Sequence, residues 1–499
     1  MTFSHKQSIG LSLIAVVSVI LLGIIGPGCS GTGNKTLPIT TTSSEALQDF
    51  LTGRELVSNL RNSEATRYFE SAVRKDRGFA LAYYYLGISS PTAKGFFENI
   101  REAQKHINSV SEGERTLIEA GLAGVNGELD RQQQLLTKLS ELYPSDPQVR
   151  MFLANFYFQL QKYDSAAIEY QAVVAIDSNF APPYNMLGYT YRSLEEYERA
   201  AEAFQKYIAL IPGDPNPYDS YAELQMRLGK CEEAIEYYRK ALALAPTFAP
   251  SRLGIASCLI FLNRHEEARE ELSRLYDSAI DASQQSGALF AMAISYADEG
   301  RFDDAIGSLR KQFALDSTQN DAAAMANDMQ NMALLQVWTK RPEAARASLD
   351  RAIALIDASD LFDRVKANAH LDDSLGRARI MMVEGNLDGA RSLARKYLEA
   401  VEARGFTFRV RNAHAALGFI ELYAGNYQAA LDNLEQANSQ VSWILYHIGL
   451  AYEGLGDTAR ALDYYDQVAT AYERNSLTYA LVRNLAVNKI AELTPETQS

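Results

Sequence analysis

Ala166, Ala200, Ala234 and Ala268 recur at an unbroken spacing of 34 residues. Four residues beyond each comes a large apolar side chain (Tyr170, Phe204, Tyr238, Leu272), and twelve before it a small or medium one (Ala154, Gly188, Ala222, Ala256). Residues four apart share one face of a helix. Each period therefore describes two helices, with a small residue where they cross most closely and a bulky one filling the gap toward the next pair. A period of this length marks helical hairpins stacked side by side. Such a stack escapes the usual limit on the size of one core, because each unit contacts only its neighbours.

Residues 181–214 carry Tyr184, Leu187, Gly188 and Tyr191 on the first predicted helix, then Ala200, Phe204 and Pro212 on and after the second, with Tyr207 where a small residue is usual. Residues 215–248 repeat this with Tyr218, Ala222, Gly229, Ala234, Tyr238, Ala241 and Pro246. These strings resemble the tetratricopeptide repeat (TPR). The resemblance implies an all-α fold, a right-handed superhelical solenoid of about 11–12 TPR hairpins. Outward copies are less regular. Gly53, Ala65, Phe69 and Ala72 mark one, Tyr83, Leu86 and Gly87 begin another, and residues 113–146 have Gln132 where the small crossing residue belongs. Units centred on Ala305, Ala345, Ala390, Ala430 and Ala461 depart from the period of 34, so connecting turns are expected to absorb the extra residues. The solenoid is assigned to residues 45–475, most regular over 147–282. Residues 476–499 form a C-terminal capping helix and tail, with Leu477, Ala480, Leu481, Leu485 and Ile490 covering the last exposed apolar face.

The N-terminus adds a second signal. Lys6 precedes an apolar run from Ile9 to Ile25, followed by Gly26-Pro27-Gly28-Cys29 and the polar Ser30–Asn34. A short basic region, an apolar core and small residues describe an export signal over residues 1–28. Cysteine directly after the small residue resembles a bacterial lipoprotein signal, although Gly26 and Pro27 depart from that pattern. The resemblance implies acylation of Cys29 as the mature N-terminus and a place in the bacterial cell envelope, facing periplasm or exterior. The residues alone also allow ordinary signal cleavage or an uncleaved anchor, for which this run is at the short limit. Residues 29–44, rich in Ser, Thr and Gly, read as a flexible tether.

Charge and chemistry narrow the function. With 48 Lys and Arg against 62 Asp and Glu, the net charge of −14 offers no general field for nucleic acid. The six histidines are scattered, and none has a second histidine or cysteine at metal-ligand spacing on the same helix. His265-Glu266-Glu267 lacks the following histidine of a zinc protease, and His265 falls at an inter-helix turn. Phosphate loops and nucleophile elbows are absent from the sequence. The chain is therefore expected to be non-catalytic, without a cofactor or metal. Cys231 and Cys258 are either two buried side chains or, in an oxidising compartment, a pair within bridging reach. Tyr83, Tyr238 and Tyr465 occupy template packing positions.

In the TPR family, partners bind along first-helix positions facing away from the core. Those positions fall here on Met151, Asn155, Phe158, Asn185, Tyr189, Arg192, Asp219, Glu223 and Met226. Asn155, Asn185, Tyr189 and Arg192 are the candidate partner-binding residues, because carboxamides match peptide backbone and aromatics accept side chains. The expected role is a non-catalytic, membrane-anchored scaffold that binds a protein or peptide partner. The alternatives are a nutrient- or glycan-binding lipoprotein, or a non-catalytic subunit of an envelope enzyme complex.

Overall fold

The computed structural model of the chain describes residues 36–58, 61–90, 92–404, 407–438 and 441–494. Among the described residues the secondary structure is helical throughout. The helices pair in chain order: α1 (Ser44–Ser58) with α2 (Asn62–Lys75), α3 (Ala80–Ile88) with α4 (Ala93–Lys105), α5 (Glu112–Val125) with α6 (Leu129–Leu142), α7 (Pro147–Gln159) with α8 (Tyr163–Ile176) and α9 (Pro182–Ser193) with α10 (Tyr197–Leu210). Next come α11 (Asn216–Arg227) and α12 (Cys231–Leu244), then α13 (Ala249–Phe261) with α14 (His265–Ser278) and α15 (Ala282–Asp298) with α16 (Phe302–Thr318). The last pairs are α17 (Ala322–Trp338) with α18 (Pro342–Asp357), α19 (Asp363–Val383) with α20 (Leu387–Glu402), α21 (Thr407–Tyr423) with α22 (Tyr427–Leu434) and α23 (Ser442–Gly454) with α24 (Thr458–Ala469), before a single α25 (Leu477–Leu493). This is an all-α solenoid. The described residues form two compact units, one running to Leu224 and including Glu236–Phe248, the other comprising Gln225–Ile235 and the chain from Ala249.

The periodic alanines sit where the template puts them. Ala166, Ala200, Ala234 and Ala268 have no exposed surface, and neither have Ala305, Ala345, Ala390, Ala430 and Ala461. Glycine takes over where the crossing is tightest. A Cβ on Gly188 would lie 2.5 Å from the buried Phe204 ring, and one on Gly449 2.6 Å from Tyr465. Gln132 is accommodated by compensation, since its carboxamide occupies space that a Cβ on Gly124, 2.7 Å away, would fill. In the second hairpin Tyr84 and Tyr85 are buried, while Tyr83 is only half-buried and stacks on His106 at 6.0 Å. The inward register there is thus shifted from the one expected.

Every hairpin from α5/α6 to α23/α24 turns in three residues, and the middle one is left-handed. Gly127, Gly229, Gly300, Gly385, Gly425 and Gly456 supply this conformation without steric cost, while Gln161, Glu195, Asn263 and Lys340 adopt it with side chains attached. In the turn after α11, Gly229 N–H donates to Met226 O and Lys230 N–H to Gln225 O, satisfying the last helical carbonyls. Because these turns are invariant in length, most of the irregular spacing falls on the helices: α8, α10, α12 and α14 have 14 residues each, whereas α15, α16, α17 and α21 have 17 and α19 has 21. The connections between hairpins absorb the rest, as in the long one between Leu434 and Ser442.

Two terminal segments differ from expectation. The apolar run 9–25, Cys29 and the first part of the proposed tether lie outside the described residues; among the described residues, no helix is long and apolar enough to cross a membrane. From Thr36 onward the tether is a bound strap. Leu37 N–H donates to Asp146 at 2.8 Å, Thr40 donates through N–H and hydroxyl to Glu114, and Thr41 and Thr42 bond Asp76. Threonine hydroxyls and backbone amides here satisfy three carboxylates, and that fixes the segment.

The C-terminal helix packs on α23 and α24 at the end of the stack, and its other side docks on α15. Arg483, 6% exposed, meets Asp298, 5% exposed, in a two-pronged pair: Nε to Oδ1 at 2.8 Å and Nη2 to Oδ2 at 2.6 Å. Nη1 reaches Phe261 O at the end of α13, and Nη2 is shared further with Ile260 O and Asn263 Oδ1. His265 Nε2 lies 2.8 Å from Asp298 Oδ2, and Asn484 donates to Asp298 O. Arg474 donates to Pro250 O, and Tyr472 packs edge-on to Phe261. Burial works against the Asp298 carboxylate, but Arg483 and then His265 overcome it and hold its pKa below the ordinary value. The second unit is closed on itself.

Two variants test this packing. Gly188→Ala should cost about 1–3 kcal/mol in chemical denaturation, because the Phe204 ring has nowhere to move. Arg483→Met should cost about 3–5 kcal/mol by leaving Asp298 buried without its main partner. Adding Asp298→Asn should recover part of that loss; an Arg483→Met protein as stable as wild type would show that the closure contributes nothing.

Candidate functional site

The first-helix row of the first unit is occupied by its own neighbours. Asn155 is 1% exposed and accepts a hydrogen bond from Tyr170 Oη at 2.6 Å. Tyr189, one period on, stands edge-on to Phe204 at 5.1 Å, so this position packs on the template's bulky residue. Its hydroxyl approaches Ser220 Oγ at 3.2 Å and Glu223 at 3.4 Å. Arg192 pairs with Glu223 at 2.6 Å and covers the Tyr189 ring. Asn185 is buried, its Oδ1 without a hydrogen-bond partner. Asn155, Asn185 and Tyr189 were expected to project away from the core; they are part of the stacking between repeats.

The second unit contains a different feature that the sequence did not signal. A chamber of about 170 Å³ opens between the first helices α17, α19, α21 and α23, and Thr478 at the start of α25 contributes to its wall. Asn327 and Asn331, four apart on α17, and Asn412 on α21 bring carboxamides to it. Asn327 Oδ1 and Asn331 Nδ2 are buried without hydrogen-bond partners. Phe419 and Trp443 form an aromatic wall, with ring centroids 6.1 Å apart. Trp443 also packs against Trp338 at 5.1 Å, which places the second tryptophan of the chain beside the chamber wall.

Most of the charge around the chamber is paired. Asp372 is neutralised by Arg409, through Nε at 2.9 Å and Nη2 at 2.8 Å, and accepts from Tyr397 Oη. Asp373 is paired with Arg377 at 2.5 Å, and Arg377 also bonds Asp350 at 2.8 Å. Arg379, also on the wall, makes no hydrogen bond or ion pair among the described residues. Burial works against its charge and draws its pKa below the ordinary guanidinium value. An arginine nevertheless stays protonated in a protein. The nearby His447 adds no charge, since burial pushes its pKa down to about 4 and its Nδ1 bonds Trp443 O at 2.6 Å.

Beside the chamber, Asp328 on α17 is fully buried, and neither of its oxygens receives a donor from another residue. Asp316 on α16 accepts from Ser286 at 3.3 Å. One ionised carboxyl disfavours ionisation of the other, so the pair keeps a proton. Burial first, and the neighbouring carboxylates next, raise Asp328 to about 9; burial raises Asp316 to about 6. Cys231 and Cys258 are buried, free thiols. Among the described residues, no group of three or more His, Cys, Asp or Glu is placed to hold a metal ion.

The architecture defines an α-solenoid repeat protein, and comparison gives the repeat its name. Residues 122–180 and 444–474 match family descriptions of the tetratricopeptide repeat, and residues 184–316 match that of the middle TPR-like domain of cilia and flagella-associated protein 70. The chain is a tetratricopeptide-repeat protein. No curated protein matches it. Similar solved structures include YrrB, described as a TPR protein with an unusual peptide-binding site (19% identity, 36% of this chain and 91% of that one, TM-score 0.26). Others are a TPR protein from Parabacteroides merdae ATCC 43184 (15% identity, 52% and 98%, TM-score 0.37) and MamA (19% identity, 33% and 91%, TM-score 0.28).

The buried acid pair fixes a pH response. Both folded-state pKa values lie above the ordinary 3.8, so the pair's contribution is fully present below about pH 4. It is lost as pH rises through about 6 and then about 9. Asp328→Asn, neutral at all pH, should flatten this dependence and raise stability at pH 8 by about 1–3 kcal/mol. Denaturation curves at pH 4.5 and pH 8 check it, and an equal effect at both would remove the shared proton from the account.

Proposed function

We propose that this protein is a non-catalytic scaffold of the bacterial cell envelope, anchored through acylated Cys29, and that it engages its protein or peptide partner at the chamber of the second unit. The carrying observation is the chamber's carboxamide lining. Asn327 and Asn331 present donor and acceptor groups that their own chain leaves unused, and a peptide backbone supplies the complementary pair. By contrast, Asn155, Tyr189 and Arg192 already have partners within the stack. The repeat family supports an interaction role. The apolar run before Cys29 and the small residues around it support export and lipidation.

A second reading, a small-ligand lipoprotein, is favoured by the chamber's size. About 170 Å³ is below the range of drug-sized pockets and suits one compact group better than a glycan chain. Two experiments test the proposal. Cys29→Ser should lose incorporated fatty acid and leave the membrane fraction; unchanged fatty-acid labelling would contradict the anchor. Replacing Asn327, Asn331 and Asn412 with alanine should abolish cross-linking to the native envelope partner, whereas the Asn155, Asn185 and Tyr189 triple variant should lose stability. The reverse pattern would return the site to the first unit.

A further inference from the structure

We infer that the chamber between α17, α19, α21 and α23 is a binding site for a free, compact organic monocarboxylate with an aromatic or branched apolar body, its carboxylate held by Arg379. The inference rests on the chamber being a binding site, as in the second reading above, and names the ligand chemistry.

Charge comes first. Asp372 and Asp373 enter the chamber already neutralised by Arg409 and Arg377, and His447 is neutral. Arg377 is shared with Asp350, so the surroundings hold no excess of positive charge, but Arg379 is the guanidinium on the wall that none of these carboxylates contacts. Arg379 is half-buried and holds no hydrogen bond or ion pair among the described residues, so its guanidinium is available to a ligand in the chamber. A planar guanidinium is suited to receive a carboxylate in two parallel hydrogen bonds.

Size and lining decide the rest of the ligand. A dry cavity of about 150 Å³ accepts benzene; 170 Å³ accepts one ring or branched chain with a carboxylate. The Trp443 and Phe419 rings offer faces and edges for such a body. Asn331 Nδ2, buried and without a partner, supplies a further donor beside the acid. A peptide terminus brings the same carboxylate with its preceding residues at the chamber mouth, and a free acid that fills the chamber alone is the better fit to its size.

Trp443 lines the chamber and Trp338 packs against it, so intrinsic fluorescence reads the site. Full-length protein titrated with phenylacetate should show a saturable change in tryptophan emission and a raised melting temperature. Phenylacetamide, of the same shape without the charge, should bind about tenfold or more weakly. The dipeptide N-acetylglycylphenylalanine should produce no change. Arg379→Met should lose the preference for acid over amide. It should also make the ligand-free protein at least as stable as wild type, since it removes an unanswered charge; a merely structural arginine would lower stability instead. Equal binding of acid and amide to wild type would overturn the carboxylate assignment while leaving the chamber a binding site. No response to either compound would overturn both, and tighter binding of the dipeptide would overturn the free-acid source.

Discussion

Arg483 brings its guanidinium into a place with almost no water, and the second unit is built to meet it. Asp298 receives Nε–H and Nη2–H, Nη2 is shared further with Ile260 O and Asn263 Oδ1, and Nη1 reaches Phe261 O. A buried ion pair repays its desolvation only when the geometry is this complete. The partners lie 185 to 223 residues apart in sequence, in an architecture whose contacts otherwise join neighbours. Open solenoids distribute stability as a sum over adjacent repeats. Here the last helix and the hairpin that begins the unit share one interaction, which ties the fate of one end to that of the other.

The chamber shares the helix α25 with this closure. Its walls come from α17, α19, α21 and α23, of which α17, α19 and α21 are longer than the first helices around Ala166 to Ala268, and α25 adds Thr478. Invariant three-residue turns keep each pair in register while most of the added length goes into the helices. The first unit, with shorter helices, brings Asn155 onto Tyr170 and Tyr189 onto Phe204, and those positions become packing. The same template position thus serves as core in one place and as chamber wall in another.

The repeat was legible because it depends on steric exclusion. Alanine or glycine at a helix crossing leaves a periodic trace that no other residue type replaces, as Gly188 beneath Phe204 shows. Gln132 interrupted that trace, since its compensation at Gly124 lies on the other helix of the pair. The closure left no trace: a lone arginine in an apolar helix reads as a solvent-facing charge, and its partner lies far off in sequence. His265 was correctly read as structural, but its partner Asp298 could not be. The packing of Asn155, Asn185 and Tyr189 went unseen for a related reason. Periodicity tells which face of a helix a residue occupies, but whether that face is filled depends on helix length and packing distance, which the sequence pattern does not specify. The unused guanidinium of Arg379 is a property of arrangement alone.

Hydrogen exchange on a protein ending at Ala471 separates a closed unit from an open stack most directly. Removing residues 472–499 takes away α25 and its approach. The closure predicts faster exchange both in α23–α24, which α25 covers, and in α13–α15, where Arg483 docks. An increase confined to α23–α24, with α13–α15 protected as in the full chain, would mean that α25 is a simple end cap and would contradict the account.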